Sequence, residues 1–185
     1  MLHMSQKNYK ISIIGSLLKK ENHIRGLAKE LNTNQTTIAR KIKELYKNNI
    51  VDYNQQGKNK VFFIKKTLEA KYYSYIVEIH KCIEAVRKHP RLRRIFREIN
   101  QNKKIELAIL FGSYAKGLEK KDSDIDLYIE TEDRKLKKQV EMIDTKLNVK
   151  IGEYNSKNLL IKEIKKNHII IKGVEHYYEK EKIFD

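Results

Sequence analysis

FGSYAKGLEKKDSDIDLYIE, running from Phe111 to Glu130, is the stretch on which the reading of this chain turns. It begins where an apolar run, Ile105-Glu106-Leu107-Ala108-Ile109-Leu110-Phe111, ends, and that run reads as a mostly buried strand. Gly112-Ser113 then turn the chain. Gly112 carries no side chain, so backbone and a phosphate can approach closely. Ser113 adds a hydroxyl, and the amides that follow open a short helix whose start suits an anion. Beyond them, Ser123-Asp124-Ile125-Asp126-Leu127-Tyr128-Ile129 alternates polar and apolar as a second strand. Asp124 and Asp126 are two apart and share one face. Adjacent carboxylates repel, and a divalent cation relieves that repulsion. Oxygen-only ligands suit Mg²⁺ or Mn²⁺, with substrate phosphates completing the shell. A phosphate cradle beside paired carboxylates implies nucleoside triphosphate chemistry. The bland alternative is a tight turn before a solvated acidic strand edge. It explains less, because strand, turn, spacing and carboxylates all agree.

The same residues resemble the signature of the DNA polymerase beta-like nucleotidyltransferases: hydrophobic-Gly-Ser, about ten residues, then Asp-hydrophobic-Asp-hydrophobic. Within it, Gly112-Ser113-Tyr114-Ala115-Lys116-Gly117 is similar to the minimal nucleotidyltransferase group, and the resemblance spans residues 104 to 180. It implies a small sheet flanked by helices and a divalent metal, Mg²⁺ or Mn²⁺, on Asp124 and Asp126. It also implies a nucleoside triphosphate, expected to be ATP, contacted by Gly112, Ser113, Lys116 and Ser123. The implied reaction is transfer of a nucleoside monophosphate to a hydroxyl. Proteins of this group often act as antitoxins that adenylylate a HEPN-type toxin, so the resemblance implies a protein acceptor. One departure bears on turnover. Active members carry a third carboxylate on the following strand, between hydrophobic residues. The matching run here is Val149-Lys150-Ile151, with Lys150 in that place. Glu153 takes over as the third catalytic carboxylate only if Gly152 bulges the strand and turns it to the same face.

The charge of +16 is unevenly spread. Residues 1–66 hold 14 Lys/Arg against 4 Asp/Glu, residues 67–104 hold 10 against 4, and residues 105–185 hold 16 against 16. A basic N-terminal half beside a neutral C-terminal half points to a polyanion partner for the first. No apolar run approaches the ~20 residues of a membrane span. The opening Met1-Leu2-His3-Met4-Ser5-Gln6-Lys7 lacks the apolar core of a signal peptide. The single Cys82 forms no internal disulfide and reads as a small, buried or half-buried apolar group. A cytoplasmic protein without membrane contact is expected. His3, His23, His80, His89, His168 and His176 show no metal-ligand spacing.

In the basic half, residues 8–20 read as a helix with Ile11, Ile14, Leu17 and Leu18 on one face. A break at Glu21-Asn22-His23 precedes a second helix, Ile24 to Leu31. Asn34 then caps a third helix over 35–48, with Ile38, Ile42 and Leu45 inward. Two strands, Ile50–Tyr53 and Val61–Ile64, flank a polar, basic loop containing Gly57. This order resembles the winged helix-turn-helix of prokaryotic transcription regulators. In such folds the third helix enters the major groove and the wing meets the backbone or minor groove. The resemblance therefore places Gln35, Thr36, Thr37, Arg40 and Lys41 nearest the bases of duplex DNA and Lys58 and Lys60 on the wing.

Residues 67–88 read as one long helix with an apolar stripe, Leu68, Tyr72, Tyr75, Ile76, Ile79, Ile83 and Val86. The stripe must pack on one of the domains or on a second copy, and a homodimer is expected because palindromic DNA sites favour two-fold pairs. Pro90 opens a further helix to Gln101, on which Arg91, Arg93, Arg94 and Arg97 form a basic cluster. After the carboxylates, the pattern gives helix 133–146, strand Leu147–Ile151, helix Ser156–Lys166 and strand His168–Lys172. The expected architecture is α+β: a winged helix-turn-helix over 1–66, a helical connector over 67–103, and a small mixed α/β nucleotidyltransferase-like domain over 104–185. Three functions compete. The first is a DNA-binding nucleotidyltransferase that doubles as an autoregulating antitoxin. The second is a transcription regulator whose transferase-like half only binds nucleotide or a partner. The third is an enzyme whose winged domain holds a protein substrate, against which the charge step speaks.

Overall fold

The structure, a computed structural model, describes residues 8–185, so the expectations for His3 and the first seven residues lie outside the described residues. The chain divides between Val77 and Glu78 into two compact units.

The first unit contains α1 (Tyr9–Leu17), β1 (Asn22–His23), α2 (Ile24–Glu30), α3 (Gln35–Lys47), β2 (Val51–Gln56) and β3 (Asn59–Ile64). The strands form one antiparallel sheet in the order β1-β3-β2. Helix-strand-helix-helix-strand-strand with that sheet order is the winged helix-turn-helix. Asn34 caps α3 as expected: its side chain accepts from the Thr37 amide at 2.7 Å. Asn49 ends the same helix in the left-handed region, φ 60°. Ile13, Ile14 and Leu17 of α1 pack with Leu27, Ile38, Ile42, Leu45 and Phe62, all buried. Each contributes about 1.5–3 kcal/mol relative to an exposed side chain. The break expected at Asn22-His23 is instead a strand, pairing Asn22 with Phe62 and His23 with Val61. Two polar residues carry no periodicity from which to read it.

The long helix α4 (Leu68–Lys88) runs through the division point. Its stripe does not turn inward. Leu68, Tyr72, Ile76, Ile79 and Ile83 are 43–61 % exposed, while Ala70, Ser74, Val77, Glu78 and Ala85 are buried. Helical periodicity marks a face without saying which way it points; here the opposite face, which carries the small Ala70, Ser74 and Ala85, is the buried one.

The second unit continues with α5 (Leu92–Gln101), β4 (Ala108–Phe111), α6 (Gly112–Lys116), β5 (Ile125–Glu130), α7 (Arg134–Glu141), β6 (Leu147–Gly152), α8 (Leu159–Lys166), β7 (Ile169–Lys172) and α9 (Val174–Glu181). The sheet order is β6-β5-β4-β7; β5 and β6 are parallel and the other neighbours antiparallel. This is the expected mixed sheet. Ile125, Leu127 and Ile129 of β5 join a core with Leu92, Ile95 and Ile99 of α5 and Leu136 and Val140 of α7. Asp126, Tyr128 and Glu130 therefore take the other face. There Tyr128 meets Tyr154 edge-on, and Glu130 receives His176 at 2.6 Å and Lys180 at 2.9 Å from α9. Helix α7 stops five residues short of the expected Lys146, and α8 starts late, at Leu159, because Asn158 rather than Asn155 or Ser156 caps it. Cys82 is half-buried, donates to the Ile170 carbonyl at 3.0 Å, and has its thiol pushed up to about 12 by burial and then by the Glu78 charge. Such a thiol is inert packing. Among the described residues no helix is long and apolar enough to cross a membrane.

Candidate functional site

The centre of the second unit's site is the junction of β4 with α6. Antiparallel register sets Phe111 opposite Asp126, so the Asp126 carboxylate lies over the first residue of α6. That residue is Gly112, at φ +69°, and a Cβ there would stand 2.1 Å from Asp126 Oδ2. The glycine is required by the carboxylate itself, a closer constraint than the phosphate approach expected from sequence. Asp126 is half-buried and Asp124, just before β5, is exposed. Ser113 is half-buried next to Gly112. The helix ends after five residues at Gly117, φ +69°, where the Gly117 and Leu118 amides return to the Tyr114 and Ser113 carbonyls.

The neighbour of Asp126 on β6 is Asn148. Parallel register pairs the two residues, and the Asn148 amide donates to Asp126 Oδ1 at 2.9 Å. Lys150, expected in the third-carboxylate place, lies opposite Tyr128 and is exposed. Glu153, the alternative, follows the end of β6, whose last residue Gly152 pairs with Glu130. Asn148 and Gly152 are four residue steps apart along the strand, about 13 Å, so Glu153 is not brought to the aspartates. Asn148 escaped the sequence reading because Leu147-Asn148-Val149 and Val149-Lys150-Ile151 fit one alternation equally well. Only register separates them.

Two further residues assigned to the nucleotide are otherwise engaged. Lys116 forms an ion pair with Glu163 of α8 at 2.9 Å. Glu163, held below the usual carboxylate range by Lys116 and then Lys166, also binds the latter at 3.0 Å. The Ser123 hydroxyl accepts from the Lys120 amide at 2.8 Å, closing the turn before Asp124. Close to α6, Tyr114 meets His89 edge-on at 5.0 Å, and His89 Nε2 lies 3.2 Å from Glu119.

Among the described residues no group of three or more His, Cys, Asp or Glu is placed to hold a metal ion. The donor set at Asp124 and Asp126 is nonetheless all oxygen and fits Mg²⁺ or Mn²⁺ in one way, with nucleotide phosphates and water supplying the rest of the shell.

On the winged unit, Gln35, Thr36 and Arg40 are exposed along α3, and Thr37 is half-buried. Lys41 is held back: its ammonium lies 3.0 Å from Glu44, which also takes Lys10 at 2.8 Å. Those two lysines pull the Glu44 carboxyl down to about 2. The wing is a tight hairpin, Gln56 opposite Asn59, turning through Gly57-Lys58 with Gly57 at φ 60°. Lys58 projects from the tip as an exposed side chain. Lys60 folds back over the Tyr53 ring, 4.0 Å from its centroid.

Residues 93–176 match the family described as polymerase beta, nucleotidyltransferase. No curated protein matches the chain. Similar solved structures include the adhesin competence repressor AdcR of Streptococcus pyogenes, 22% identical, covering 49% of this chain and 67% of that one, TM-score 0.40. The transcriptional repressor BigR of Xylella fastidiosa is 15% identical, covers 38% of this chain and 70% of that one, TM-score 0.36. The homodimeric winged helix-turn-helix domain of Mb0332 from Mycobacterium bovis is 16% identical, covers 40% and 68%, TM-score 0.36. The winged-helix assignment itself stands on the element order and sheet register described above. Residues 93–176 thus carry the match to the polymerase beta nucleotidyltransferase family, and the elements from Tyr9 to Ile64 fold as a winged helix-turn-helix.

Proposed function

We propose that this protein is a DNA-binding regulator whose C-terminal domain binds a metal–nucleoside triphosphate and transfers the nucleoside monophosphate to a protein hydroxyl. The observation that carries the nucleotide half is the close fit of Asp126 over Gly112, with Asp124 two residues away. Asp124 and Asp126 would hold Mg²⁺ (or Mn²⁺), which when bound offsets charge on the triphosphate. Gly112 and Ser113 present backbone and hydroxyl to the phosphates. The acceptor oxygen attacks the α-phosphorus and the bond to the bridging oxygen breaks. Pyrophosphate leaves, and the hydroxyl proton passes to water. ATP is the nucleotide and a HEPN-type toxin the acceptor that the family resemblance favours; in that setting the protein is an antitoxin repressing its own operon in the cytoplasm. The test is incubation with Mg²⁺, each labelled nucleoside triphosphate and the product of the neighbouring gene. Label should move to that partner and fail to do so with Asp124→Asn. Persistence of labelling in that variant sinks the assignment.

A second reading, nucleotide binding without turnover, is favoured by one observation: the third position beside the aspartates is an amide, Asn148.

For the DNA half, Gln35, Thr36, Arg40 and, less directly, Thr37 and Lys41 face the major groove, and Lys58 with Lys60 forms the wing contact. The exposed seam of α4 supports a two-fold dimer. Tyr72, Ile76, Ile79 and Ile83 follow one another at steps of 4, 3 and 4, the spacing of a coiled-coil seam, and Leu68 lies about one turn before them. Pairing two such seams buries on the order of 1,000 Å² in total, at the lower edge of specific interfaces. A two-fold pair would present two α3 helices to a symmetric site. Ile79→Glu with Ile83→Glu should halve the mass in sedimentation; an unchanged mass contradicts the seam.

A further inference from the structure

We propose that the outward faces of α5 and α7 form a second polyanion surface, on the C-terminal unit itself, that takes the phosphate backbone of duplex DNA. The surface is separate from the contacts assigned to α3 and the wing, and it rests on the DNA-binding reading only for the identity of the polyanion. Both helices cover the sheet face that carries the core, α5 against β7 and α7 against β6. Leu92, Ile95, Phe96 and Ile99 are the buried side of α5, and Leu136 and Val140 that of α7. Arg93, Arg94 and Arg97 on the first helix, and Arg134, Lys135 and Lys138 on the second, are left exposed. None of the six lies in an ion pair among the described residues. The acids of the two helices are Glu98 and Glu141, and Glu141 is taken up by Lys137 at 3.6 Å. Arg91 stands apart from the cluster, because its guanidinium is bound to Asp144 at 2.5 Å. That bond sets the start of α5 beside the end of α7, while Lys104, past the end of α5, is within electrostatic reach of Asp133, the cap of α7. The helices therefore run antiparallel and carry two rows of cations. Their supporting strands, β6 and β7, are three strand spacings apart, about 14 Å. That is near the ~12 Å width of a major groove, so two such rows can meet phosphates of both strands of a duplex. Arg93 with Arg97, and Arg134 with Lys138, are each one helical turn apart, a like-charge spacing that destabilises the helix unless an anion lies over it. Arginine forks match pairs of phosphate oxygens. The even charge of residues 105–185, 16 against 16, conceals this surface because Asp126 and Glu130 lie on the other face of the sheet.

The experiment measures binding of the full-length protein to a random-sequence duplex of about 40 base pairs, by fluorescence anisotropy over a salt series. The parent is compared with Arg93→Gln/Arg94→Gln/Arg97→Gln, with Arg134→Gln/Lys138→Gln, and with a control that removes three exposed lysines elsewhere in the unit, Lys150→Gln/Lys157→Gln/Lys162→Gln. We expect the arginine triple to lower the salt slope by about two to three and to weaken binding about tenfold or more, and the α7 pair to lower the slope by about one to two. The control should shift the slope by less than about one. The proposal is overturned if both the α5 and α7 variants keep the parent's slope and affinity, or if the control loses as much as they do. Arg40→Ala, measured alongside, separates this surface from the winged unit. A loss with Arg40→Ala and none with the α5 and α7 variants sinks this proposal alone. A loss with the latter and none with Arg40→Ala sinks the assigned face of α3 and leaves this surface standing. No duplex binding by the folded parent overturns both. Tighter binding of single-stranded RNA than of duplex, through the same arginines, makes RNA the occupant and overturns the proposal as stated.

Discussion

A Cβ on Gly112 would stand 2.1 Å from Oδ2 of Asp126, so the first residue of α6 must be glycine for the second aspartate of the pair to occupy its place. Gly117, at the other end of the same helix, has the same φ of +69° but open space: its nearest neighbour is the Lys88 ammonium at 4.0 Å. The two glycines separate backbone strain from site geometry. Gly112→Ala and Gly117→Ala should each lower stability by about 1 kcal/mol or more through the left-handed backbone. Only Gly112→Ala should also weaken Mg²⁺–ATP binding, tenfold or more, by displacing Asp126. Thermal unfolding and calorimetry on the pair check this; equal losses of binding would show that strain, not the carboxylate, is what the glycine relieves.

Arg40 and Lys41 are adjacent in sequence and unequal in structure. Arg40 is exposed, whereas Lys41 is committed to Glu44. Arg40→Ala should therefore reduce affinity for operator DNA more than Lys41→Ala. Lys58→Ala on the wing should lower affinity uniformly across sequences and reduce the salt slope by about one. Fluorescence anisotropy over a salt series measures both. A larger loss from Lys41→Ala would contradict the assigned face of α3.

Asn34 begins α3 through a 2.7 Å bond from the Thr37 amide. Asn34→Ala should cost the winged unit about 1 kcal/mol and weaken DNA binding, while Mg²⁺–ATP binding in the other unit stays at the parent value. Chemical denaturation with both binding assays tests the independence of the units.

Glu130 is 14% exposed and bound by His176, Lys180 and the Tyr154 amide. Burial alone would raise its carboxyl, but the Lys180 and His176 bonds outweigh burial, and the carboxyl is held below its ordinary value. A lowered folded-state value means the stabilisation is present above the unfolded value of about 4.3 and is lost as pH falls through the folded value. Glu130→Gln should thus destabilise by about 1–2 kcal/mol at pH 7, and the gap to the parent should close below about pH 4. A gap of constant size from pH 7 to 3 would mean that shape, not charge, fastens α9 to β5.

Much of this was legible in the sequence, for identifiable reasons. The Asn34 cap, the Gly57 turn and the Phe111–Glu130 stretch are local features, written in residues whose chemistry has few alternatives. What escaped depends on pairing between distant segments. The two-residue β1 exists only through its ladder with β3. The outward turn of the α4 seam depends on where small Ala70, Ser74 and Ala85 pack. Asn148 in place of Lys150 or Glu153 is a matter of register between β5 and β6, one alternation step that leaves no local trace. The diversion of Lys116 to Glu163 likewise joins residues 47 apart.

The central claim is a metal-dependent nucleotide site on Asp124 and Asp126. Its most direct test is calorimetric titration of Mg²⁺–ATP into the parent protein and into Asp124→Asn/Asp126→Asn, with Gly117→Ala as a folded control. The account predicts measurable binding in the parent, retained in the control, abolished on chelation of Mg²⁺, and weakened at least tenfold in the double variant. Binding of equal strength in all three proteins, or binding indifferent to Mg²⁺, would contradict it.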